Sequence, residues 1–183
     1  MAFTSKVVFV LLVSSLAWCQ ASAQESKPVG TIVKGLGNLT TLINSLTTEV
    51  NEIEIGNFIN EGPKVVQGIV NIAQNFSVLY DYLETLPKTP LSDPEGKILE
   101  AYQELVVAVQ NLMNALSDQY TPTGLEDFAP KLRTALEGLL NQAIPKYSYD
   151  LLYLYSCSQI KKGLDLRKAL GVAIIGVIDK YNN

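Results

Sequence analysis

The chain has 183 residues, 14 Lys and Arg against 18 Asp and Glu, a net charge of −4, and no histidine. The missing imidazole excludes Ser-His-Asp and Cys-His nucleophilic catalysis and most zinc sites. The acidic balance argues against nucleic acid and against general attraction to anionic membranes.

The chain opens "MAFTSKVVFVLLVSSLAWCQASAQ". Lys6 is a positive n-region, Val7–Val13 an apolar h-region, and Ala21-Ser22-Ala23 a small-x-small cleavage site. Residues 1–23 therefore read as a secretory signal peptide, too short and wrongly flanked for a membrane anchor. A lipoprotein reading of Cys19 fails because bulky Trp18 stands where a small residue is needed. Cleavage leaves residues 24–183 as one domain, with 13 basic and 18 acidic residues and a net charge near −5, since Lys6 is lost. Its single cysteine, Cys157, allows no internal disulfide, so stability must come from an apolar core. With apolar neighbours, Cys157 reads as a buried small hydrophobe; a reactive thiol or an intermolecular bridge is the sharper alternative.

The first segment carries Ile32, Leu36, Leu39, Ile43, Leu46, Val50 and Ile53 at alternating steps of four and three. That spacing places them on one stripe of a long amphipathic helix. The second repeats it with Val65, Ile69, Ile72, Phe76, Leu79, Leu83 and Leu86, with Pro63 in its first turn and Pro87 ending it. The third runs Ile98, Tyr102, Leu105, Val109, Leu112, Leu116. Ser92 or Asp93 can cap it, with Pro94 at the first helical position. Thr123-Gly-Leu-Glu126 resembles a capping box for a fourth segment through Phe128, Leu132, Ala135 and Leu139, ending at Ile144-Pro145. Pro130 can split off one short turn there. The last helix spans Leu164 to Tyr181. Its apolar run, Ala169–Ile178, is about half the ~20 residues that span a bilayer, so it reads as a core helix.

Between these lies "YSYDLLYLYSCS", Tyr147 to Ser158. Its odd positions alternate like a strand, but no hairpin signal offers such a strand a partner for its backbone groups. A helix is the better choice. The fold class is thus all-α: a single-domain bundle of about five amphipathic helices, with a short extra helix near 147–160 or the same residues as the front of the last helix.

Several helices are more apolar than one stripe requires: Val66 and Val70 beside Ile69, Leu99 beside Ile98, Val106 beside Leu105, Leu152 beside Leu151. Wide apolar faces suit a thick core or a core holding an apolar ligand. In the second case Tyr147, Leu151, Tyr153, Tyr155, Ile174 and Val177 are the candidate lining, since a tyrosine ring is apolar while its hydroxyl can reach a lipid headgroup. In the first, the tyrosines are core with their hydroxyls bonded to backbone. The one basic cluster, Lys161, Lys162, Arg167 and Lys168, reads either as a solvated face or as cations for a fatty acid carboxylate, with Lys161, Lys162 and Arg167 the candidates. The carboxylates are scattered over helix exteriors, so no catalytic residue, metal site or cofactor is expected. Asn38-Leu-Thr40 and Asn75-Phe-Ser77 are N-glycosylation sequons off the apolar stripes.

The signal peptide, the stripes of "TIVKGLGNLTTLINSLTTEV" and "LEAYQELVVAVQNLMNAL", the proline closing "LRTALEGLLNQAIPKYSYDLLYL" and the tail "LGVAIIGVIDKY" together resemble the fungal hydrophobic surface-binding protein family, which includes cell-wall galactomannoproteins. The resemblance covers nearly the whole mature chain. It implies a secreted, non-enzymatic helical protein that adsorbs to hydrophobic surfaces or holds a fatty acid between helices, in the extracellular space or cell wall. The chain is richer in tyrosine around 147–155 than the family pattern. It also lacks the Ser/Thr-rich tail of wall-anchored members, which counts against wall attachment. A secreted effector or wall component acting through protein–protein contacts is the alternative.

Overall fold

The computed structural model describes residues 27–54, 58–93, 95–119, 128–143 and 150–181. The signal-peptide residues, the Thr123–Glu126 capping box, Tyr147 and Tyr149 lie outside them. Five helices carry the fold: α1 (Lys27–Asn51), α2 (Phe58–Glu84), α3 (Lys97–Asp118), α4 (Ala129–Gly138), which runs on as a π-helical turn (Leu139–Ala143), and α5 (Cys157–Lys180). No strand occurs among the described residues, and no described helix is long and apolar enough to cross a membrane.

The stripes predicted for α1 and α3 are buried along their length, as is that of α2 up to Leu83, with Leu86 half-buried. On α1 the buried set is a single row from Val29 to Val50. Five threonines of this helix, Thr31, Thr40, Thr41, Thr47 and Thr48, donate their hydroxyls to the carbonyl four residues back, at 2.8–3.1 Å. This satisfies a polar group that would otherwise compete with the helix backbone. Pro63 is the sixth residue of α2 and not in its first turn, because α2 begins five residues earlier, at Phe58.

α1 and α2 are antiparallel and lock reciprocally. A Cβ added to Gly35 would lie 2.7 Å from Leu79 Cδ1, and one added to Gly68 would lie 2.6 Å from Leu46 Cδ1. Each helix thus offers one notch and one leucine to the other.

α3 starts at Lys97, later than the Pro94 expected, because Gly96 stands at φ 70° and is the N-cap. That left-handed conformation favours glycine. Asp93 is still the side chain that caps α3: its two carboxylate oxygens accept the backbone N–H groups of Lys97 (3.0 Å) and Ile98 (2.9 Å). Twelve buried residues give α3 a far wider buried face than one stripe.

Among the described residues the tyrosine-rich segment carries the short extra helix expected near 147–160, and it does not run straight into the last. Residues 150–153 are helical, the chain turns at Leu154–Tyr155, and α5 begins at Cys157, seven residues before the predicted Leu164. The cause is a capping box at Ser156. The Gln159 side-chain carbonyl accepts the Ser156 backbone N–H (3.0 Å) and hydroxyl (2.8 Å). The pattern Ser156-x-x-Gln159 is present in the sequence but hidden within an apolar run.

α3 and α5 are parallel. Gly96 meets Gln159 at their N-terminal ends, and at the other end Lys180 Nζ donates to the Ser117 carbonyl while the Tyr181 hydroxyl donates to the Leu116 carbonyl at 2.9 Å. Among the described residues each helix packs on only two neighbours, in the ring α1–α2–α4–α5–α3–α1. The α1–α3 joint is the most extensive and the α4–α5 joint the sparsest.

Candidate ligand-binding interior

A ring in which helices touch only adjacent helices needs side chains from all of them to meet in the middle. Those side chains are apolar: Ile32, Phe76, Tyr102, Leu105, Leu136 and Ile174 are all within 1% of full burial. Among the described residues no group of three or more His, Cys, Asp or Glu is placed to hold a metal.

At the end of the ring where α3 and α5 begin, the 87–96 connector is strapped to the 150–155 turn. The Leu91 N–H donates to the Leu154 carbonyl (3.1 Å), and Lys88 pairs with Asp150 (2.6 Å). This strap sets Tyr155 inside. Its ring lies against Gly163 on α5, where an added Cβ would come within 2.5 Å of Cε2. The side chain is 2% exposed and its hydroxyl has no hydrogen-bond partner. Burial pushes its pKa well above the ordinary tyrosine range, and Tyr102 and the Asp93 carboxylate add to the rise. Tyr155 is therefore a fixed neutral donor.

The other predicted lining residues divide. Leu151, Ile174 and Val177 are buried at 0%, 0% and 3% exposure and belong to the same core cluster as Tyr155. Tyr153 is 55% exposed. The lining role expected of it does not match this placement, because the helical turn before Leu154 rotates it outward. Lys161 and Lys162 are exposed on α5 and Arg167 is half-buried. Lys162 borders an open cleft on the outside of α1, α3 and α5 that also carries Glu95, Glu100 and Glu104. That cleft is open to solvent and carries three carboxylates, so it does not enclose an alkyl chain. Asn38 and Asn75 are both exposed, and Asn75 Nδ2 donates to the Asn71 carbonyl at 2.9 Å. Sequence reasoning gave Tyr155 no rank above its neighbours and passed over Asp93 as anything but a cap. Only the fold brings the two together.

The architecture is that of an all-α ring of five helices around an apolar interior. It is similar to the solved structure of AFMP4P in complex with palmitic acid, with a TM-score of 0.72 and 14% identity over 84% of this chain and 99% of that one. It is also similar to ligand-binding domain 2 of the Penicillium marneffei MP1 protein in complex with arachidonic acids, with a TM-score of 0.63 and 15% identity over 87% and 96%. A second structure of that domain, complexed with multiple arachidonic acids, matches with a TM-score of 0.56. At these identities the likeness is one of fold. No protein-family model matches the sequence, and no curated protein is similar to it.

Proposed function

We propose that this chain is a secreted, non-enzymatic carrier that holds a fatty acid or similar single-chain lipid inside the helical ring. The observation that carries the reading is the interior itself. It is apolar on every described helix, it is enclosed by helices that meet only side by side, and a buried hydroxyl within it has no partner. Proteins of the same fold have been solved with palmitic and arachidonic acids, which supports the reading. So does the resemblance to the hydrophobic surface-binding and galactomannoprotein family, and this chain is proposed as a divergent relative. The signal peptide at 1–23 directs secretion, and Asn38 and Asn75 sit at exposed positions open to glycosylation.

A second reading, adsorption to a hydrophobic surface, is favoured by α5. Ile160, Leu164, Val172 and Ile175 are 37–62% exposed along its length.

The test is an organic extract of the purified protein analysed by mass spectrometry, followed by titration of the delipidated protein with palmitate. A carrier yields a co-purified lipid at defined stoichiometry. Its melting point then rises by mass action, equivalent to about 2.7 kcal/mol at a hundredfold excess over the dissociation constant. Adsorption without stoichiometry favours the second reading, and a melting point indifferent to saturating lipid refutes the first.

A further inference from the structure

A buried tyrosine hydroxyl without a partner is disfavoured, and a phenylalanine would fill the same space against Gly163 without leaving a donor unmet. Tyr155 therefore calls for an acceptor that arrives from outside the chain. Its surroundings limit what that acceptor is. The connector that straps this end of the ring brings Asp93 to the same neighbourhood, through the Leu91–Leu154 hydrogen bond on one side of it and the Gly96–Gln159 contact on the other. Each Asp93 carboxylate oxygen accepts one backbone N–H and keeps a lone pair for another donor. The nearby lysines are engaged elsewhere: Lys88 with Asp150 and Lys97 with Glu95, at 2.6 and 3.1 Å, all at partly or fully exposed positions. A carboxylate head here would lie beside the half-buried Asp93 carboxylate, a like charge that disfavours it. A hydroxyl head suits the pair of groups, since its oxygen accepts from Tyr155 and its proton can be donated to Asp93.

We infer that the lipid is held with its polar end at Tyr155, beside Asp93, and that this end is an uncharged hydroxyl rather than a carboxylate. The inference rests on the carrier reading above and names the head group that site selects. The chain's own ligand is then a long-chain alcohol or another lipid with a terminal hydroxyl. The Lys161, Lys162 and Arg167 cluster has no part in holding it.

The experiment is competition against bound Nile red by 1-dodecanol, laurate and dodecane at pH 7.5, on the full mature chain. 1-Dodecanol is expected to bind about tenfold more tightly than laurate. Tyr155→Phe should weaken dodecanol roughly five- to tenfold, the worth of one neutral hydrogen bond, and leave dodecane unchanged. Asp93→Asn, which keeps a capping side chain, should narrow the gap between dodecanol and laurate. Laurate binding as tightly as dodecanol, or Tyr155→Phe weakening all three probes alike, overturns the head-group assignment and leaves the carrier reading standing. If none of the three displaces the dye or raises the melting point, the carrier reading falls and this inference with it.

Discussion

Replacing Gly163 by alanine tests the packing that buries Tyr155. The new Cβ would lie 2.5 and 2.9 Å from Tyr155 Cε2 and Cδ2 and 2.8 Å from Leu152 Cδ2. A ring that is 2% exposed cannot swing away as a methyl can, so the helix, the ring or both must shift. Overpacking of this kind costs about 1–3 kcal/mol. Against it stands the helical preference for alanine over glycine, worth about 1 kcal/mol in a helix interior. Gly171 lies two turns further along the same helix, and an added Cβ there meets nothing within 4 Å. Gly171→Ala should therefore show the propensity gain alone. The difference between the two variants cancels propensity and leaves the packing cost, about 1–3 kcal/mol. For a chain of this size that is a gap of roughly 2–12 °C in melting temperature, at about 2–4 °C per kcal/mol. Thermal unfolding followed by circular dichroism reads it directly. Equal melting points for the two variants would refute the placement of Tyr155 against α5.

Two further substitutions probe the ends of α3. Asp93→Ala removes the acceptor for two backbone N–H groups and should cost about 0.5–2 kcal/mol in urea unfolding, without changing the helical content of the folded state. Tyr181→Phe removes the hydroxyl that donates to the buried Leu116 carbonyl. It should cost about 0.5–1.5 kcal/mol, and an unchanged urea midpoint would mean that α5 does not dock its C-terminus on α3 as described.

The helices were legible because their apolar spacing is a local consequence of 3.6 residues per turn. Ile32 to Val50 and Ile98 to Leu116 are buried as that period requires. Ile53 is buried too, although α1 ends at Asn51. The segment around Tyr153 and Tyr155 was harder, because apolar residues stand on nearly every side and period alone cannot choose a face. The turn at Leu154 decides it, sending Tyr153 outward and Tyr155 inward. The start of α5 was encoded by Ser156 and Gln159, yet hydrophobic spacing alone placed it at Leu164. The nearness of Tyr155 to the Asp93 charge had no signal in the sequence. The two are far apart in the chain, and the hydrogen bond from Leu91 to Leu154 sets them at the same end of the ring, where α3 and α5 begin.

The paired notches of α1 and α2 have a mechanical consequence. Sliding α2 by one turn along α1 would carry Leu79 from Gly35 to Thr31 or Leu39, and Leu46 from Gly68 to Lys64 or Ile72. Both leucines would leave their seats at once, so the movement is all-or-none and not gradual. The α1–α2 pair then behaves as one stiff plate. A ring with one stiff plate and one extensive joint, α1–α3, has little freedom on that side. It widens most cheaply at the opposite seam, where α4 and α5 meet least.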